Sequence, residues 1–434
     1  MKSTSYSERF WVNVRDSFWF LPAVYGTISI LSVIIMTIAD LYLLPILQDF
    51  IPTIVLMKQD IAKSLYSALI TAILTMTTIS FSTIMVVLTT YTTQFSPRTL
   101  QDFMKNRMTQ HVLGVYSFSF IFALLNLLLL TEDKNRPMAS PFFTVIVSIV
   151  CLAFFVLFIH HSSRYVQVNN LIGEIRTRTS KVISKVFSEK SFQSDTEWDI
   201  NVLEELNNKK PQMIMAKDSG YIQQLQMNYL INWAKDEEAI VQAQFQFGDY
   251  IQKGMTLFKC WCARKMEAKE KCEDYLLIGN ERVDQQDIEF SIQKLVEIAV
   301  KAISPGINDP HTAINCINRI GSSLSELGSQ YRPVQYYSDK DGKLRLIMEP
   351  IPFKDYLYKS FYQIRIYGHH DISVMNGVLE ALYKIALVND DDVKYDVWKF
   401  AQYMMKAVDL EENGLDQEYY QEQVDKLAEA CGKV

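Results

Sequence analysis

The sequence is poor in cysteine, with six in 434 residues, too few for a secreted disulfide scaffold. It also lacks a basic excess. A net charge of −6 argues against a general nucleic-acid binder, which needs a positive footprint. There is no P-loop, dinucleotide fingerprint, kinase signature or GxSxG elbow. The close pair Cys260-x-Cys262 has neither CxxC spacing nor a second pair to complete a zinc site. No cofactor is implied. The charge that is present is uneven. Residues 1–161 hold ten Lys/Arg and eight Asp/Glu, against 33 and 41 in 162–434. The first part is therefore near +2 and the second near −8, which excludes a simple soluble enzyme.

Apolar sequence fills the first part. Four uncharged stretches, at about 17–39, 64–93, 111–131 and 140–160, are each long enough to cross roughly 30 Å of hydrocarbon at about 1.5 Å per residue. The first is too long for a signal peptide and has no small-residue cleavage pattern after Asp40, so it is expected to remain as a helix. The spans hold no acidic–basic pair of the kind that marks proton coupling, no inverted repeat of broken helices and no potassium-type selectivity loop. In the short flanks, ten Lys/Arg on one side face four on the other. That bias places both termini and the large domain in the cytoplasm.

The second stretch is unusual. From Ser64 to Pro97 it runs 34 residues without a charge, or about 51 Å of helix, so it must tilt, kink or project. Thr71, Thr75, Thr78, Ser82, Thr89 and Thr93 recur near the helical period and form one hydroxyl stripe. Two readings stand: close helix packing through small hydroxyl residues, or the lining of a pore. They coincide if the helix surrounds an oligomer axis. Arg98, Lys105 and Arg107 then lie at the inner mouth, where they attract anions or contact lipid head groups.

The remainder is expected to be α+β. A linker helix is read over 162–198, then a small β-barrel or sandwich module over 199–262, with turns at Gly248-Asp249 and Lys253-Gly254. Residues 263–434 read as a mainly helical domain carrying a hairpin at 333–349, with Asp341-Gly342 as its turn.

Several strings stand out: SFSTIMVVLTTYTTQFSPRTLQDFM, FGDYIQKGMTLF, IGNERVDQQDIEFSIQKLVEIAVKAISPGINDPHTA and FYQIRIYGHHDISV. They resemble the signatures of the bacterial DUF2254 membrane-protein family. The resemblance covers nearly the whole chain and implies four spans followed by one cytoplasmic region, in a bacterial inner membrane. At His311 the sequence departs from the residues more usual in the family. The resemblance carries no reaction.

Chemistry is sparse. Arg282, Asp284, Asp287, Glu289, Asn308, Asp309 and His311 form the densest constellation. Asp284, Asp287, Asp309 and His311 are candidate ligands for a divalent cation. The competing reading makes the stretch with Ser304, Pro305, Gly306, Asn308, Asp309 and Pro310 a rigid corner, in which Arg282 pairs with Asp287 and Asn308 or Asp309 caps the next helix. His369-His370-Asp371 lacks the spacing of a zinc-binding helix and reads as a helix junction. The leading expectation is an oligomeric channel or channel-like transporter for ions or small solutes with a cytoplasmic regulatory domain. Its partners would be the lipid bilayer, further copies of itself and a cytoplasmic protein or small ligand. The alternative is a membrane-anchored scaffold or sensor; a membrane-tethered enzyme comes third.

Overall fold

The computed structural model describes residues 19–47, 50–94, 98, 106–130, 137–187, 192–262, 272–408 and 414–433. The chain divides into two compact units, 1–170 and 171–434.

The first unit is helical. Helix α1 (Phe20–Ile38) continues through a π-helical stretch, Ala39–Leu43, to Leu47; α2 spans Gln59–Gln94, α3 Arg107–Leu128 and α4 Ser140–Val166. All four are long and apolar enough to cross a membrane. Helix α3 is innermost and packs on the other three, and α2 also packs on α4. Where α1 meets α3, the Tyr25 ring lies 2.5 Å from the place a Cβ on Gly114 would occupy, so only glycine permits that approach. Hydroxyls tie the bundle together. Ser80 and Tyr116 hydrogen-bond across α2 and α3 (3.0 Å), Tyr66 donates to Ser140 (3.1 Å), and Tyr91 donates to the Tyr165 carbonyl (3.0 Å). Without water, such internal partners are the available means of satisfying polar groups.

Asp40, near the end of the first span, is only 9% exposed. Its two carboxylate oxygens accept from the Ala139 and Ser140 N–H groups at 3.0 and 3.2 Å. A carboxylate placed at the orphan donors of a helix start satisfies them and complements the dipole. Asp40 thus serves α4 from ninety-nine residues away.

The second unit is mixed. Helix α5 (Val168–Phe187) starts after Gln167, which is extended at ψ 115°; it buries Leu171, Ile172, Ile175 and Ile183. Nine strands follow: β1 (Gln193–Asp195), β2 (Gln212–Met215), β3 (Gly220–Leu225), β4 (Ile240–Ala243), β5 (Tyr250–Ile251), β6 (Thr256–Trp261), β7 (Leu276–Gly279), β8 (Tyr336–Ser338) and β9 (Leu344–Ile347). Helices α6 (Ile200–Asn208) and α7 (Met227–Asp236) lie among them. The six-stranded sheet runs β1-β8-β9-β4-β6-β2, antiparallel except for β4 beside β9, and a three-stranded sheet runs β5-β3-β7.

Three expectations change here. No barrel closes among the described residues, because β1 and β2 end the larger sheet without pairing. Nor do the strands within 199–262 form a sheet by themselves. The distant hairpin β8–β9 completes the sheet by pairing alongside β4, and β3 leaves for the second sheet. The stretch read as one linker helix contains the end of α4, then α5 and β1. The hairpin turn is as expected: Gly342 has φ +74°, and Asp339 accepts from the Asp341 and Lys343 N–H groups.

Helices complete the unit: α8 (Ile288–Ala302), α9 (Pro310–Gln330), α10 (Phe353–Gly368), α11 (Ile372–Leu387), α12 (Asp391–Met405) and α13 (Leu415–Ala430). Helix α9 packs between α8 and α11, and α10 packs on α8 and α12. Arg176 of α5 reaches Glu326 of α9 at 2.6 Å, and Ser180 donates to the same carboxylate at 2.7 Å.

Candidate functional sites

The face of α2 turned into the bundle carries Ala62, Tyr66, Ile73, Ser80, Ile84, Val87 and Tyr91, all buried. Thr71, Thr75, Thr78, Ser82, Thr89 and Thr93 are all exposed. At 3.6 residues per turn the two sets point about 180° apart. The stripe therefore takes no part in packing among the described residues. Five of its hydroxyls donate to the carbonyl four residues earlier: Thr71 to Ser67, Thr75 to Thr71, Thr78 to Leu74, Thr89 to Met85 and Thr93 to Thr89, at 2.8–2.9 Å. With the proton engaged, each hydroxyl presents an oxygen acceptor outward. Of the basic residues read as an inner mouth, Arg98 is helical and exposed and Arg107 opens α3. Lys105 lies outside the described residues.

The constellation at 282–311 separates into two structural groups. Arg282 forks onto Asp287 at 2.5 and 3.0 Å and reaches Glu289 at 3.1 Å; Glu289 also meets Lys359 at 2.6 Å. Asp287 also caps α8 by accepting from the Phe290 N–H at 2.8 Å. Burial raises the Asp287 carboxyl above its usual range despite the arginine. The Gly248 backbone, at φ +87°, lies against this pair where a Cβ would collide with Asp287 and Arg282. Asp284 instead faces Lys294 (2.7 Å). Burial pushes its carboxyl up, but the lysine outweighs this and holds it below the ordinary range.

The second group is the turn into α9. Ser304 donates to the Lys301 carbonyl (2.6 Å), and Asn308 takes the left-handed φ of +49° that asparagine tolerates. Asp309 caps α9, accepting from the Thr312 N–H at 3.1 Å and its hydroxyl at 2.6 Å, and Pro310 occupies the first turn. Pro305 and Gly306 are near or at the surface, and His311 is exposed. No group of three His, Cys, Asp or Glu placed to hold a metal occurs among the described residues. The acids of this corner are engaged in pairs and caps.

His369 and His370 follow the end of α10 at Gly368, and Asp371 caps α11 by accepting from Ser373 and Val374 N–H. Cys260 and Cys272 are buried, and burial pushes the Cys260 thiol up to about 12, so neither is poised as a thiolate.

A feature that sequence patterning misses is a cavity of about 880 Å³ in the second unit. The end of α5, β1, the segment after β4, the start of α8, the loop after α9 and the segment after β9 all contribute walls. Its lining residues are 170 positions apart at the extremes, from Val186 to Tyr356; no local motif could announce it.

Residues 15–384 match the family described as "Predicted membrane protein (DUF2254)". Uncharacterized proteins of two Mycobacterium tuberculosis strains and of Mycobacterium bovis are 29% identical over 322 residues, which is 71% of this chain and 60% of theirs. The chain thus spans about 60% of the length of these relatives. No solved structure matches. With the match extending through the apolar helices and most of the α/β unit, the chain belongs to the DUF2254 family of membrane proteins.

Proposed function

We propose that the protein is an oligomeric, cation-conducting channel in which copies of α2 surround a common axis and the α/β unit is a cytoplasmic regulatory domain. One observation carries the reading: the hydroxyl stripe faces directly away from its own bundle. Hydroxyls whose protons are held by their own backbone offer only oxygens to a passing ion, and such a surface favours cations. Arg98 and Arg107 then serve lipid head groups rather than an anion mouth.

The test pairs assembly with flux. Thr78→Cys or Ser82→Cys should cross-link between copies in the membrane. Thr78→Leu with Ser82→Leu should abolish potassium flux into vesicles while the protein still assembles. Failure to cross-link anywhere along the stripe would mean that it faces lipid, and the channel reading would fall. The scaffold or sensor reading draws its support from the cavity of the second unit; folded, assembled but non-conducting protein would favour it.

A further inference from the structure

A pore along α2 leaves the cavity of the second unit without a role. At about 880 Å³ it lies within the roughly 300–1,000 Å³ range of small-molecule sites. Three features describe what would fill it.

The first is its aromatic wall. Phe192 and Tyr337 meet edge to face at 5.6 Å, and Phe247, Tyr331 and Tyr356 add further rings. The second is a set of uncommitted hydrogen-bonding groups. Gln246, Gln330 and Tyr337 line the cavity half-buried, and their side chains make no hydrogen bond or ion pair among the described residues. Neighbours on the same wall are committed: Gln286 bonds both the N–H and the carbonyl of Leu225, and Tyr331 donates to the Ile351 carbonyl. Their polar atoms keep access to solvent, and a ligand's polar edge can take the place of that water without displacing a protein partner. The third is charge. Among the described residues, the exposed side chains of Asp195 and Glu349 line the cavity against that of Arg332, and Asp287 is already paired with Arg282. A phosphate would meet more carboxylate than guanidinium.

We propose that this cavity binds a phosphate-free, planar nitrogen heterocycle of nucleoside size, stacked on the aromatic wall and hydrogen-bonded by Gln246, Gln330 and Tyr337. A small quaternary ammonium ion suits aromatic rings and carboxylates, but it would leave all three polar groups unused.

The experiment is equilibrium dialysis of the full-length protein in detergent against labelled adenosine, guanosine, cytidine and uridine, each paired with its 5′-monophosphate. At least one nucleoside should saturate at one per chain, with its monophosphate about ten-fold weaker or more. Tyr337→Phe and Gln330→Leu should each weaken binding about five-fold, the effect of one lost hydrogen bond, without lowering the unfolding temperature. Val334→Trp, which pushes an indole into the cavity from its wall, should weaken binding at least about ten-fold. The proposal is overturned if folded wild-type protein binds none of the four nucleosides at about 1 mM, where even weak sites register. It is also overturned if the monophosphate binds as tightly, if the three variants bind like wild type, or if tetramethylammonium is the only probe retained. Dialysis requires no transport, so a failed flux assay leaves its outcome unaffected.

Discussion

Asp40 shows how much one side chain in an apolar setting can hold. Asp40→Ala strands two N–H groups at the start of α4 and should cost about 1–3 kcal/mol, read as a lower unfolding temperature in detergent. Asp40→Asn keeps an acceptor oxygen and should cost less. Arg282 makes a second case, since its partner's side chain is 1% exposed. Arg282→Ala leaves a buried carboxylate alone and should destabilise by about 3–5 kcal/mol; adding Asp287→Asn should recover part of that. If the double variant were no better than the single one, the pair would not be what holds the corner. Asp309 sets a pH dependence. The Thr312 hydroxyl and N–H hold its carboxyl below the usual range. The unfolded chain therefore takes up the proton first as pH falls. The cap's stabilisation is complete above about pH 4 and is lost as pH drops through the lower native value. Asp309→Asn should flatten that acid limb in a pH series of thermal melts. The pairing of Arg282 with Asp287 and the cap at Asp309 were legible in sequence because both lie within a few positions. Lys294 with Asp284, and Lys359 with Glu289, were not: the first pair spans ten positions across a turn, and the second joins two helices.

At the scale of elements, α2 is the clearest instance of two faces with different tasks. Substitutions on the buried face should unfold the bundle: Ile73→Asp places a charge where the side chain is 0% exposed and should prevent stable expression. Thr75→Ala on the opposite face should leave stability within about 0.5 kcal/mol. Both are read by thermal denaturation in the same detergent. Gly114→Ala should cost about 1–3 kcal/mol by overpacking, since α1 and α3 must separate to admit the methyl beside Tyr25. The hydroxyl periodicity of α2 was visible in sequence because a helix turns it directly into a stripe. Which side of the helix the bundle would cover was not, because that depends on α3 and α4. Periodicity also located the strands between Gln212 and Trp261 and the hairpin, but not β1 or β7, and the grouping as a self-contained module failed. Strand pairing joins residues far apart, as in Val241 with Leu346, and a local pattern carries no record of its partner.

At the scale of the molecule, each unit has its own interior. The aromatic and aliphatic core around Leu230, Val241, Phe258 and Leu346 belongs wholly to 171–434. A 171–434 fragment should therefore be soluble and show a cooperative thermal transition with near-ultraviolet dichroism; loss of both signals would show that its core depends on the spans. The membrane part, the charge division, the caps at Asp309 and Asp371 and the hairpin turn were readable from the string alone. These follow from composition, period and contacts within a few residues, which are properties of a linear string. Only the tertiary structure decided where the hydroxyl stripe faces, which acid serves which helix, how the sheets are ordered, and that a cavity exists at all. Each of those is set by packing between segments tens to hundreds of residues apart, where burial and hydrogen-bond satisfaction select one arrangement that no local pattern records.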